Sequence, residues 1–359
     1  MQAILLVGGQ GTRLRPLTIN TPKPMLPVAG VPFTAHQIAR ARDAGVTRIV
    51  LGTSYRAEVF AEYFGDGSRF GVELVCLTED EPLGTGGGIR HAAAGLTCGP
   101  DEPVLIFNGD VLSGVDLRHL VSEHDRTQAE VTLYLTRVED PRAFGLVPTD
   151  ADGRVTEFRE KPTTPAEIVT DQINAGCYVF RREVIDRIPP DTVVSVERDT
   201  FPALLSAGER LTGVVDDGYW LDLGTPLSLV TGSADLVLGR VPSSAVPDHD
   251  GPQIVLPGAD VASDAVVTDG SVVGTGSVVG PRARVAGSVL MSDVQVAADA
   301  VIENSVIATG ARIGAGSVLS GAVVAEGAQI GAGVELVRGA RVWPDAVIGD
   351  GAIRFSSDR

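Results

Sequence analysis

The stretch Ile307-Ala308-Thr309-Gly310-Ala311-Arg312-Ile313-Gly314-Ala315-Gly316-Ser317-Val318-Leu319 decides the architecture of the C-terminal third. Aliphatic residues stand at Ile307, Ile313 and Leu319, and mostly glycine, alanine and serine fill the intervals. Toward the C-terminus the phase continues through Val324, Ile330, Leu336, Val342 and Ile348, and it already holds at Ile302. Further upstream, Val261, Val267, Val273, Val279 and Val285 recur at a spacing of six residues, with a slip before Ile302. A six-residue period with turn-forming small residues predicts a parallel β-helix, each hexad forming one face of a triangular coil. Short strands of a sandwich would not keep that phase.

Before this repeat lies Arg240-Val241-Pro242-Ser243-Ser244-Ala245-Val246-Pro247-Asp248-His249-Asp250-Gly251-Pro252, with three prolines and little apolar content, which reads as a linker. The N-terminal part has another rhythm. Ala3–Val7, Arg48–Leu51, Val72–Leu77 and Pro103–Phe107 read as buried strands, Val131–Val138 alternates with period two, and Phe33–Ala44 reads as a helix ended by Gly45. Strands alternating with helices predict an α/β fold with a mostly parallel sheet, whose ligands sit at the carboxyl ends of the strands. The expected domains are 1–238, a linker at 239–252 and the β-helix at 253–359.

At 359 residues the chain is too long for one ordinary core. Its net charge of −17 makes nucleic acid and anionic membranes poor partners, because phosphate contacts need a basic face. Phosphate handling must then rest on a local basic site or a divalent cation. Cys76, Cys98 and Cys177 have neither metal spacing nor a disulfide pattern, which suits a reducing cytoplasm. The apolar run Ala3–Val7 is too short for a signal peptide. Of 29 basic residues only Lys23 and Lys161 are lysines, so each is a candidate for a place that needs a compact ammonium.

The first strand runs into Gly8-Gly9-Gln10-Gly11-Thr12-Arg13-Leu14-Arg15-Pro16-Leu17-Thr18. Glycines after a buried strand let backbone N–H groups approach an anion. A P-loop would need Gly-Lys-Ser/Thr, and a dinucleotide fingerprint would need a glycine where Leu14 stands. The loop is followed by Pro22-Lys23-Pro24-Met25-Leu26-Pro27. Together these motifs resemble the nucleotide-sugar pyrophosphorylases, or sugar-1-phosphate nucleotidyltransferases. The resemblance covers most of residues 3–235, and the hexapeptide tail is similar to members with a C-terminal left-handed β-helix. The whole run, down to the closing Arg354-Phe355-Ser356-Ser357-Asp358, resembles the actinobacterial mannose-1-phosphate guanylyltransferases.

The resemblance implies a Rossmann-like nucleotidyltransferase domain and a site assignment. The glycine loop, with Gly8, Gly9, Gly11 and Thr12, meets the nucleotide. Arg13 holds the triphosphate, with Arg15 as a second candidate, and Lys23 contacts the phosphates. Asp110 of Asn108-Gly109-Asp110 and Asp222 of Tyr219-Trp220-Leu221-Asp222 match the carboxylates that hold Mg²⁺. Glu79 stands where thymidylyl relatives read the base with glutamine, and Gly84 matches their backbone contact. Guanine presents two adjacent donors, which one carboxylate can accept together, so Glu79 favours GTP. Glu81 is its rival by register. Gly145, Glu160, Lys161 and Asn174 match the segments that hold the sugar phosphate.

The implied reaction joins a nucleoside triphosphate to a sugar 1-phosphate and releases pyrophosphate, with GTP and mannose 1-phosphate favoured. A cyclitol phosphate such as valienol 1-phosphate, and a thymidylyl or uridylyl transfer to glucose 1-phosphate, stay open. So does a regulatory paralogue that binds without turnover. Acyl transfer, the other chemistry of such β-helices, relies on a histidine near the coil, and residues 253–359 contain none. The β-helix is expected to serve oligomerisation or regulation, giving a homo-oligomer.

Overall fold

The computed structural model describes residues 1–354, so the closing run from Phe355 to Asp358 lies outside the described residues. The chain divides into two compact units. One comprises Met1–Gly9 and Gln37–Trp220, the other Gln10–His36 and the chain from Leu221 onward.

The first unit is built on a sheet of nine strands. Its long members are β1 (Gln2–Leu6), β2 (Arg48–Thr53), β3 (Glu73–Thr78), β4 (Pro103–Asn108), β5 (Val131–Arg137), β6 (Gln172–Arg181) and β7 (Leu211–Val215). Their spatial order is β7-β5-β6-β4-β1-β2-β3. The pairs β4-β1, β1-β2, β2-β3 and β5-β7 are parallel, while β6 runs antiparallel to both β4 and β5. The parallel pattern expected from the sequence therefore holds, with β6 as an antiparallel insertion. A small ribbon, Gly145–Leu146 against Arg159–Glu160, continues the sheet beside Ile173 of β6.

The continuous apolar runs of β1 and β4 come from burial on both faces. Ile4, Val50 and Ile106 pack in one cluster with Leu133, Tyr178, Phe180 and Phe201. Residues 131–136 are all buried, although the sequence alternates there. Thr132 and Thr136 occupy the supposedly solvent face, because α-helix 117–127 covers it and His124 bonds the Thr132 hydroxyl. In register, Leu6 lies beside Gly52 and Asn108, so the loops leaving β1 and β4 emerge at one edge.

The second unit carries the β-helix as three parallel sheets of six, six and five short strands. The residues singled out by spacing, from Val273 to Val342, line its core, and Val261, Val267 and Ile348 pack at its ends. The slip in phase has a physical cause. One side of the middle coils is a residue shorter, Val285 to Leu290, Ile302 to Ile307 and Leu319 to Val324, so Leu290 and Val296 continue the core between Val285 and Ile302. Buried serines close the short corner. The Ser271 hydroxyl accepts the Ser288 N–H, Ser288 that of Ser305, and Ser305 that of Ala322, each a step of 17 residues. A small side chain that satisfies a backbone donor makes a tighter corner possible without an orphaned polar group.

Residues 10–36 are tied to this unit. The Ala29 N–H donates to Ser233 Oγ of the helix Pro226–Val237, and the His36 ring bridges Val28 O and Ser243 Oγ, each at 2.8 Å. Gly270 presses against the same helix, where a Cβ would lie 2.5 Å from the Ala234 Cα.

Burial pushes both His36 and His124 down from the ordinary 6.5 to about 4, opposed at His36 by its bond to Val28 O. The unfolded chain takes up these protons near pH 6.5 and the folded chain only near 4. Stability from the neutral rings is therefore complete above pH 6.5 and drains away as pH falls through that window. Urea unfolding at pH 5 is expected to show a loss of about 2 kcal/mol per histidine relative to pH 7. His124→Gln should flatten that dependence, and an unchanged slope would exclude the His124 contribution.

Candidate functional site

The loop after β1 is shaped by close approaches. Ser54 Oγ donates to Gly8 O at 2.6 Å, and a Cβ on Gly8 would collide with that hydroxyl. Gly9 faces open space. Gly11 has φ +60, and a Cβ there would sit 2.7 Å from the Lys23 Cβ. Glycine is required on both counts. Thr12 opens a short turn through Leu14, and Thr18 Oγ1 donates to Gly11 O at 2.9 Å, closing the loop on itself.

This folding brings together three predicted residues. Asp222 Oδ2 lies 3.3 Å from an Arg13 guanidinium nitrogen, and Asp222 Oδ1 lies 3.5 Å from Lys23 Nζ. Lys23 is buried, whereas the Arg13 side chain is 65% exposed. A buried ammonium needs a counter-charge, and Asp222 supplies it. The guanidinium is largely solvated and is held on one side by Asp222 and Gly224. Gly224 makes the pair possible, since a Cβ there would lie 2.5 Å from Arg13 Nη2 and 2.9 Å from Asp222 Oδ2. Sequence reading passed over this glycine, although it stands two residues after a singled-out carboxylate. Asp222 Oδ1 is buried without a hydrogen-bond partner, its neighbour being the Lys23 charge. An oxygen of this kind fits a hard divalent cation. No group of three or more His, Cys, Asp or Glu residues able to hold a metal occurs among the described residues.

In the first unit Asp110 follows β4 at the sheet edge where β1 also ends. Gly109 N donates to Leu6 O at 2.8 Å, and a Cβ on Gly109 would come within 2.4 Å of that oxygen. The Gly-Asp order thus follows from geometry. Only glycine lets the chain hug β1, and the next residue is delivered to the edge. Gln37 Nε2 fixes the turn from beneath by donating to Asn108 O.

Glu79 directly follows β3, and its carboxylate accepts the Leu83 N–H at 3.1 Å, bracing the loop before the helix Gly84–Ala92. A carboxylate has about four acceptor positions, so this bond leaves capacity for a ligand. Glu81 is exposed. Gly84, with φ +72, has no room for a Cβ against Val194 O. The helix is anchored by Gly86 N to Val194 O and by Thr85, which donates to Glu197 and accepts from Val196 N. None of those anchors was legible in advance, because they lie more than a hundred residues away.

Three of the sugar-phosphate candidates, Gly145, Glu160 and Lys161, meet in this unit. Lys161 Nζ lies 3.4 Å from Glu160, and Gly145 packs so closely that a Cβ would meet Glu160 Oε2 at 2.8 Å. Lys161 itself adopts φ +49, a left-handed conformation costing about 1–2 kcal/mol in a residue with a Cβ. Asn174 sits at a bulge of β6, where the register slips before Tyr178. Its amide donates to Tyr178 Oη at 2.7 Å, and its carbonyl accepts the Gly176 N–H. Trp220, whose role the motif Tyr219-Trp220-Leu221-Asp222 did not reveal, seals the bulge by donating from Nε1 to Ala175 O and stacks edgewise on Phe144.

The cysteines and the two buried histidines are poorly placed for chemistry. Burial pushes the Cys177 thiol up to about 12 and also raises Cys76 and Cys98. His36 and His124, held at about 4, are poor bases and already hydrogen-bonded.

Residues 2–237 match the nucleotidyl transferase family, and residues 249–353 match the GMPPB C-terminal domain. The chain is 56% identical over 359 residues to a mannose-1-phosphate guanylyltransferase of Mycobacterium tuberculosis, covering 98% of that protein. It is 40% identical over 232 residues to the catalytic subunit beta of mannose-1-phosphate guanylyltransferase from Drosophila pseudoobscura, covering 64% of this chain and 61% of that one. Among solved structures, HddC from Yersinia pseudotuberculosis complexed with GMP-PN has a TM-score of 0.54 at 27% identity, covering 65% of this chain and 97% of that one.

The close approach of Gly109 to β1 is testable against its unhindered neighbour in the other loop. Gly109→Ala is expected to cost about 1–3 kcal/mol in urea unfolding, the range for overpacking. Gly9→Ala should stay within about 0.5 kcal/mol of the parent. Equal stabilities for the two variants would contradict the packing described.

Proposed function

The chain belongs to the nucleotidyl transferase family, and we infer that it is an enzyme that converts GTP and mannose 1-phosphate into GDP-mannose and pyrophosphate. The observation that carries this reading is the meeting of Arg13, Lys23 and Asp222, drawn from distant parts of the sequence, beside a glycine loop that opens off the first strand. Two cations and an under-bonded carboxylate suit a triphosphate with its divalent ion.

In the proposed reaction an oxygen of the sugar 1-phosphate attacks the α-phosphorus of GTP in line. The new P–O bond forms as the bond to the bridging oxygen of pyrophosphate breaks. The nucleophile is already an anion at neutral pH, so no general base is required and no protein side chain becomes covalently attached. Catalysis is positioning plus charge neutralisation. We assign Gly8, Gly9, Gly11 and Thr12 to cradling the nucleotide, Arg13 to the triphosphate and Lys23 to the phosphates. Asp110 and Asp222 would hold the divalent cation, which we take to be Mg²⁺ and which neutralises phosphate charge when bound. Glu79, with the backbone at Gly84, would read the N1–H and 2-amino group of guanine. Gly145, Glu160, Lys161 and Asn174 would receive the sugar phosphate. The left-handed strain at Lys161 supports that assignment, since such strain gathers at functional sites. In this reading the nucleotidyltransferase domain spans 1–238 and the β-helix begins at 253.

Pyrophosphate release measured over four nucleoside triphosphates and several sugar 1-phosphates tests the reading. GTP with mannose 1-phosphate should give the highest kcat/KM, and a clear preference for another pair would overturn it. Two variants test the division of labour. Asp110→Asn should depress turnover most steeply at limiting Mg²⁺. Lys161→Met should raise the KM for mannose 1-phosphate about 10- to 100-fold, the value of a charged hydrogen bond, and leave the KM for GTP nearly unchanged. Normal kinetics in either variant would remove that residue from the site.

A further inference from the structure

A contact between the β-helix and the glycine loop connects the C-terminal repeat to the chemistry. Arg341 stands on the strand Arg341–Val342 near the C-terminal end of the β-helix and donates from one guanidinium nitrogen to Arg13 O at 3.0 Å and to Arg15 O at 2.5 Å. Close by, Asn20 Nδ2 reaches Glu326 Oε2 at 3.4 Å. Leu17 and Leu26 face Met291, Ala308 and Pro344 across a cleft of about 80 Å³, too small for a nucleotide or a sugar. Residues 291, 308, 326 and 344 come from successive coils, so the loop rests along one corner of the β-helix.

We propose that Arg341 is a positioning residue for nucleotidyl transfer, clamping the backbone carbonyls of the loop so that Arg13 is presented to the triphosphate. The inference rests on the function proposed above. A loop opened by Gly8, Gly9 and Gly11 has large backbone freedom to lose, and the exposed side chain of Arg13 has little packing to hold it. The carbonyls on either side of Leu14 form no strand pairs, and a guanidinium bonded to both fixes the peptide that carries Arg13. Charge-assisted bonds of this kind are the strong class, and a displacement of about 1 Å in a reacting group can cost about 100-fold in rate. Arg341 thereby makes the β-helix a strut for the catalytic loop, in addition to any part it has in assembly.

The test is a double-mutant cycle on pyrophosphate release by the full chain, using Arg341→Met, Arg13→Met and the pair, with Arg341→Lys as the conservative variant. Arg341→Met should lower kcat/KM for GTP roughly ten-fold or more and leave the KM for mannose 1-phosphate and the thermal midpoint close to the parent's. Arg341→Lys should recover part of the loss. In the Arg13→Met background the Arg341→Met change should have little further effect, because the group being positioned is gone. Independent, multiplying losses would assign Arg341 a separate role and overturn the proposal, as would a full-rate Arg341→Met enzyme. A parent enzyme that releases no pyrophosphate from GTP and mannose 1-phosphate would instead refute the proposed function.

Discussion

A carboxylate shared by two cations underlies the arrangement of this protein. Asp222 takes Arg13 on one oxygen and Lys23 on the other, and the three come from sequence positions up to 209 residues apart. Positive charges gathered for a phosphate repel one another until it arrives. An acidic residue among them, Asp222, holds the two cations together; in the function proposed above the same residue would hold the divalent cation. Exposure divides the roles. Lys23 is buried and fixed, while Arg13 is largely solvated and can exchange its partner. The overall charge of −17 leaves the rest of the surface uninviting to polyanions, so a small basic site provides both attraction and selectivity.

Glycines set the tolerances around that interaction. Gly11 allows Lys23 to lie against the loop, Gly224 allows Arg13 to reach Asp222, and Gly109 lets the strand end that carries Asp110 press on β1. Each is forced by a neighbour within about 3 Å of where a Cβ would stand. Side-chain chemistry and backbone clearance therefore had to be specified together.

The β-helix was largely legible before any coordinates, because its period is a local property of the chain. The slip was visible but its origin was not, because the bonds that close the short corners, to the N–H groups of Ser288, Ser305 and Ala322, come from serines 17 residues earlier. The parallel strands were legible from their apolar runs, to within a residue or two at their ends. The antiparallel course of β6 was not, because nothing in its composition records direction. Among the candidate site residues, the loop, both lysines and the carboxylates stood out by motif and family resemblance. Gly224, Trp220, Thr85 and Arg341 did not. Each acts on a partner far along the chain, and a single sequence holds no trace of such distances.

A loop rich in glycine carries Arg13 and Lys23, pairs them with Asp222 and bonds through its backbone to Arg341 of the repeat that follows. The most direct measurement is a crystal structure of the full chain with GTP and Mg²⁺ in the absence of sugar phosphate. Arg13 and Lys23 are expected within hydrogen-bond reach of the triphosphate, with an oxygen of Asp222 turned from them to the metal. A triphosphate bound elsewhere, with the pairing of Asp222 to both cations left intact, would contradict it.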